Sequence, residues 1–197
     1  MSARWMVCSI LLGSLTACGG SELYDDISLE SCDAGCTSTP GRSPGCGQAV
    51  LESRTLHDDY EAATISFRFA SVEEDGRINN NWDLLFGNDP DADRDLLTVN
   101  TVTSDRSMIV DLGPLSFCAV PEEVDFDQYP VGQWGEHDNL DAAEGHTYLV
   151  RNVDSSTRQL AVFWIRAHQL NRQISIGWYR SPDPERFVPP VTCARQR

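Results

Sequence analysis

Four aspartates stand at alternate positions in "GNDPDADRD": Asp89, Asp91, Asp93 and Asp95. Calcium takes roughly six to eight oxygen ligands, and Asp at every second residue of a tightly turned loop can supply several of them. The run begins as an EF-hand loop does, but Arg94 replaces the glycine of that motif and Asn100 replaces its bidentate glutamate. What remains is a choice between a less regular calcium loop, helped by Asn88, and a solvated acidic turn in which Arg94 offsets part of the repulsion. The second reading is preferred. "GRSPG" (41–45) has the outline of a nucleophile elbow, but that motif needs its serine between a strand and a helix. Ser43 lies in a Gly/Pro-rich stretch instead.

The four histidines, His57, His137, His146 and His168, form no His-x-x-x-His or His-Glu-x-x-His pattern. His146 and His168 border apolar runs and read as structural. His137 sits beside Glu136 and Asp138 in an acidic loop, 121–145, long enough to be functional. In the same loop Trp134 stands between Gly132 and Gly135. A Trp flanked by carboxylates can stack on a sugar face while polar groups hold hydroxyls, so Trp134, Glu136 and His137 are a candidate ligand-binding set. The competing role for Trp134 is to plug one end of the fold.

The elements that would position these residues have a period of two. "ATISFRFA" (63–70) sets Ile65, Phe67 and Phe69 on one face and Ser66 and Arg68 on the other, as a half-buried strand does. Short β-rich runs follow at 82–86, 95–100, 107–112 and 114–120, punctuated by Gly, Asn, Asp and Pro. Residues 146–153, 158–170 and 172–180 are spaced as a meander, and the middle run is apolar on both faces, as in a central strand. Trp82, Trp164 and Trp178 fall in these runs and are expected in the core. No stretch has convincing helical periodicity. The expected fold is all-β, an antiparallel β-sandwich of the jelly-roll or Ig-like kind, with a barrel second.

Seven cysteines divide by position. Cys118 and Cys193 lie inside the domain and are expected to pair. Cys32, Cys36 and Cys46 lie in "CDAGCTSTPGRSPGCG", where Cys36–Cys46 or Cys32–Cys46 would close a small loop. That stretch holds no Cys-x2-Cys pair and no nearby His, which argues against zinc. One cysteine is left odd.

The chain opens with Arg4, an apolar run from Trp5 to Leu12, and small residues, the anatomy of an export signal. The apolar run is about half the roughly 20 residues a spanning helix needs. Its end, Leu15-Thr16-Ala17-Cys18, resembles the lipobox of bacterial lipoproteins. The resemblance implies cleavage before Cys18, acylation of that cysteine (palmitate and a diacylglyceryl group), and anchorage to a membrane through the covalent lipid. Gly19 rather than Asp after the cysteine implies the outer membrane where the cell has two. The expected organisation is a signal peptide at 1–17, a Cys/Gly/Pro-rich tether at 18–49 and a β-sandwich domain at 50–197.

Charge narrows the partners. The chain carries 15 basic and 30 acidic side chains, a formal net charge of −15, and every basic residue is arginine. Such a surface repels phosphate backbones and anionic lipid headgroups, so neither nucleic acid nor a charged membrane surface is an expected partner. Carboxylates are too abundant for any one pair to mark a glycosidase. The expectation is a lipid-anchored extracytoplasmic protein, non-catalytic, at the surface or binding a polysaccharide or protein. Its rivals are a secreted hydrolase using the 121–145 loop and a calcium-dependent carbohydrate-binding module. No resident cofactor is expected beyond that calcium.

Overall fold

In the computed structural model, the described residues are 45–54, 62–69, 71–72, 82–89, 94–100, 107–124, 131–132, 140–153, 157–190 and 193. The strands in chain order are β1 (Cys46–Glu52), β2 (Thr64–Ser66), β3 (Ser71–Val72), β4 (Leu84–Asp89), β5 (Arg94–Val99) and β6 (Met108–Asp111). They continue with β7 (Val131–Gly132), β8 (Leu140–Asp141), β9 (Thr147–Val153), β10 (Arg158–Gln169) and β11 (Gln173–Arg180). They form two antiparallel sheets packed together, one of six strands in the order β1-β11-β10-β9-β6-β7 and one of five in the order β3-β2-β4-β5-β8. The fold is all-β.

The expected meander is present: β9, β10 and β11 are consecutive neighbours. The doubly apolar pattern of β10 has a direct cause. Ala161, Phe163 and Ile165 face the core between the sheets, with Phe67, Phe86, Leu97, Tyr148 and Trp178. The alternate residues Leu160, Val162 and Trp164 face a second apolar layer on the outer side of the six-stranded sheet, with Phe117 and Phe187. Trp164 meets the edge of the Phe117 ring at a centroid distance of 4.4 Å. It can lie flat on the sheet because its cross-strand partner is Gly177. A Cβ at Gly177 would come within 2.2 Å of the indole ring.

That outer layer is built from residues 112–124 and 181–190 with Cys193, and a disulfide fastens its two halves. Cys118 and Cys193 are bonded, with Cα atoms 5.1 Å apart. Cys46 belongs to the same layer and is also disulfide-bonded. Its partner lies outside the described residues, as do Cys18, Cys32 and Cys36.

Three expectations about elements need correction. β1 begins at Cys46, inside the stretch read as tether, and supplies Leu51 to the core. Residues 114–120 make no strand. Gly113, with φ of 76°, turns the chain, and Phe117–Ala119 forms one 3-10 turn that sets Phe117 against Trp164. Finally, β2 stops at Ser66, so Phe69 is 48% exposed while Ile65 and Phe67 are buried. The cause is Asp83, whose carboxylate accepts from the backbone N–H of Phe67 at 2.6 Å and of Arg68 at 3.3 Å. Those donors lie in the turn that returns the chain from β2 to its antiparallel partner β3, where Ser66 pairs with Ser71. The chain turns there, and Phe69 rotates outward.

Candidate functional site

The polar groups of the domain gather at its two ends. At one end, the C-terminal end of β2 and β9, buried Asp83 is the centre. Besides Phe67 and Arg68, it accepts from the side chains of Asn152 and Gln159, with the Ser66 hydroxyl at 3.4 Å. Asn152 in turn takes the Ser107 hydroxyl at 2.9 Å. Burial raises the Asp83 carboxyl above the usual range, against the opposing effect of its hydrogen bonds. Arg180 closes this end by donating to the carbonyls of Phe67 and Arg68, and burial lowers its guanidinium.

At the opposite end, each sheet offers one aspartate to one histidine. Asp95, at the start of β5, is buried. It receives His168 Nε2 at 2.7 Å and the backbone N–H of Asn171 at 2.8 Å on Oδ2, while Oδ1 has no partner among the described residues. Asn171 occupies the left-handed region, φ 59°, in the β10–β11 turn. That conformation is one asparagine tolerates better than most residues. Across the same end, Asp111 meets His146 Nδ1 at 2.9 Å and the Gly113 N–H at 2.7 Å.

The two pairs are joined by the segment 141–146, which crosses from β8 to β9. Glu144 accepts from the His168 backbone N–H at 2.8 Å, and the Ile165 N–H donates to the His146 carbonyl. Tyr148, buried beneath the crossing, donates to the Asp141 carbonyl and accepts from the Ala143 N–H, both at 2.9 Å. Its burial raises the phenol well above its ordinary range.

Chemically, each histidine commits one ring nitrogen to a carboxylate, and the other has no hydrogen-bond partner among the described residues. That is half of a triad, in which a base is oriented by an acid. The other half is a nucleophile, and neither histidine is hydrogen-bonded to a serine, threonine or cysteine among the described residues. The same half-arrangement orients metal-bound histidines. Among the described residues, no three of His, Cys, Asp and Glu converge to hold an ion. What the pairs do in the fold is tie loops: Asp95 pins the β10–β11 turn to the facing sheet, and Asp111 pins Gly113 to the crossing segment. No family model, curated protein or solved structure matches this chain.

The sequence-derived candidates distribute as follows. Asp89 and Asp95 lie on paired strands, β4 and β5, with Asp89 opposite Arg94. Asp95 does not face solvent, as a splayed acidic turn would require, but is 2% exposed and engaged by His168. Asp91 and Asp93 lie outside the described residues, as do Ser43, Trp134, Glu136 and His137. Asp83 and Asn152, and the pairing of Asp95 with His168 and of Asp111 with His146, gave no signal in the sequence. Their partners are 69, 73 and 35 residues apart, and no local pattern records contacts that only the sheet order creates.

Proposed function

We propose that this chain is a lipid-anchored extracytoplasmic protein that displays a non-catalytic β-sandwich domain, held to the membrane by acylated Cys18. The observation that carries the reading is the Cys118–Cys193 bond, a disulfide that persists only where the compartment is oxidising. The disulfide at Cys46 points the same way. Together with the export signal and the Leu15-Thr16-Ala17-Cys18 sequence, they describe a domain that crosses a membrane before it is locked. Among the described residues no helix is long and apolar enough to cross a membrane, so in this reading the lipid is the attachment. Two or three acyl chains hold a protein stably where one holds it marginally.

The sandwich we infer is the pair of sheets closed at one end by the Asp83 cluster and at the other by the two Asp–His ties. A core sealed in this way suits a rigid display or binding module. We place the protein at the outer membrane where the cell has two, because Gly19 follows the cysteine.

The test is expression in a lipidating bacterium fed a labelled fatty acid. Wild type should carry label and sediment with membranes, and Cys18→Ala should do neither. A wild-type protein that is unlabelled and released as a soluble species would overturn the proposal.

A further inference from the structure

The layer on the outer side of the six-stranded sheet is assembled differently from the sandwich beneath it. Its apolar floor, Val110, Leu149, Leu160, Val162 and Trp164, shares no residue with the core between the sheets. Its cover is two strips of chain, 112–124 after β6 and 181–190 with Cys193 after β11. β6 and β11 are held apart by β9 and β10, three strand spacings or roughly 14 Å. Prolines at 114, 121, 182, 184, 189 and 190 remove backbone donors from both strips, so neither can run as a continuous ladder strand.

Each strip is pinned at its root. Leu112 N–H donates to the Thr147 carbonyl and Thr147 N–H to the Gly113 carbonyl, both at 2.9 Å. Ser181 N–H donates to the Leu160 carbonyl at 2.8 Å. The Ser181 hydroxyl accepts from the Asp183 and Val188 N–H groups and donates to the Arg186 carbonyl. Where the strips meet, the described residues share one hydrogen bond, from Phe187 N–H to the Glu122 carbonyl at 3.0 Å. The covalent link there is the Cys118–Cys193 bond. Phe117, beside that bond, is the ring that stands on Trp164.

We infer that this cover is a redox-fastened strap: reduction of Cys118–Cys193 lifts it from Trp164 while the sandwich between the sheets stays folded. The reductant is a dithiol. One of its thiolates attacks Sγ of half-buried Cys118 and expels buried Cys193 as a thiolate. The second thiol of the reagent then displaces Cys118. Two electrons leave the dithiol as its own disulfide, and its two protons end on the protein thiols.

What then holds the meeting point is one hydrogen bond and the ring contacts of Phe117 and Phe187, against the freedom the strips regain. A unit fastened this weakly opens well below the global stability of its domain. The inter-sheet core is packed from the other face of β10, by Phe163 and Ile165, and keeps its contacts when the strap lifts. The consequence is an order of closure: the sandwich forms first, and the strap shuts only where the compartment oxidises thiols.

Hydrogen exchange of the full chain, read by mass spectrometry, tests this on three samples. They are oxidised wild type, wild type treated with dithiothreitol after folding, and Cys118→Ser/Cys193→Ser, which keeps the Cys46 bond. Peptides covering 112–124 and 181–190 should exchange at least about tenfold faster in the last two. Peptides covering β4 and β5 should keep their protection, and reoxidation of the treated wild type should restore slow exchange in the strap. Equal strap exchange in all three samples would overturn the inference. Loss of protection in β4 and β5 together with the strap would do so as well, since the sandwich would not then stand alone. Opening in treated wild type but not in the double variant would assign the fastening to the Cys46 bond and refute it.

Discussion

Replacing Gly177 by alanine adds one methyl group, and its cost can be worked out from the ring that covers it. The new Cβ would lie 2.2 Å from Trp164 Cη2 and 2.3 Å from Cζ3, far inside van der Waals contact. The methyl is fixed to the central part of a sheet, so the indole must move. It cannot move freely, because Phe117 stands edge-on at 4.4 Å and the Cys118–Cys193 bond fastens the layer that carries Phe117. Overpacking of a confined core costs about 1–3 kcal/mol, and we expect the upper half of that range here.

Trp164→Ala alone should cost about 3–5 kcal/mol as a buried aromatic deletion. In the double variant the Gly177→Ala methyl meets no ring and partly fills the space. The double variant should therefore be no less stable than Trp164→Ala, giving a coupling of roughly 2 kcal/mol. Equilibrium urea unfolding followed by circular dichroism reads all four proteins. A Gly177→Ala cost below about 0.5 kcal/mol, or additive costs in the double variant, would refute the packing argument and with it the reading of residues 112–124 as a fastened layer.

Further outcomes follow from the same physical reasoning. Cys118→Ala should lower stability by about 4.5 kcal/mol in the chain-entropy treatment of a loop spanning 75 residues, and the tryptophan emission should shift red as the layer over Trp164 loosens. His168→Ala leaves buried Asp95 with Asn171 as its one donor among the described residues and should cost about 2–4 kcal/mol, with His168→Gln recovering part of it in thermal melts. Asp83 has a raised carboxyl in the fold; its folded state holds the proton more tightly than the unfolded state, whose ordinary value is about 3.9. The stability it contributes is thus full below about pH 4 and is lost as pH rises through the raised value. Asp83→Asn should remove that slope, so wild type and variant curves of stability against pH should converge or cross over the window above pH 4. Parallel curves would show that Asp83 does not titrate in the fold.

Much of the domain was legible because its strands carry their burial in the local pattern. β10 shows apolar residues on both faces, and it is covered on both faces. β11 alternates Ile174, Ile176 and Trp178, and all three reach the core between the sheets. Phe69 departs from the alternation for a reason outside its own segment: the chain turns back to β3 after Ser66, and Asp83, fourteen positions further along, accepts the N–H groups of that turn. β1 was read as tether because Gly45, Cys46 and Gly47 look like linker. The space beside Gly47 is in fact filled by the Trp178 ring, whose nearest atom would lie 3.1 Å from an added Cβ. The Asp–His ties could not be read at all, since each joins residues whose proximity is decided by strand order. The Asp run shows the same limit, because alternation at 89–95 suggested one shared environment, whereas Asp95 is turned inward to His168.

The most direct test of the central claim is intact mass spectrometry of the protein extracted from the membrane of a lipidating bacterium, with sequencing of its N-terminal peptide. The account predicts a mature chain beginning at Cys18, heavier than the polypeptide by a diacylglyceryl group and an N-acyl chain, with Cys118 and Cys193 joined. A mature chain beginning at Gly19 or beyond, or an unmodified Cys18, would contradict it.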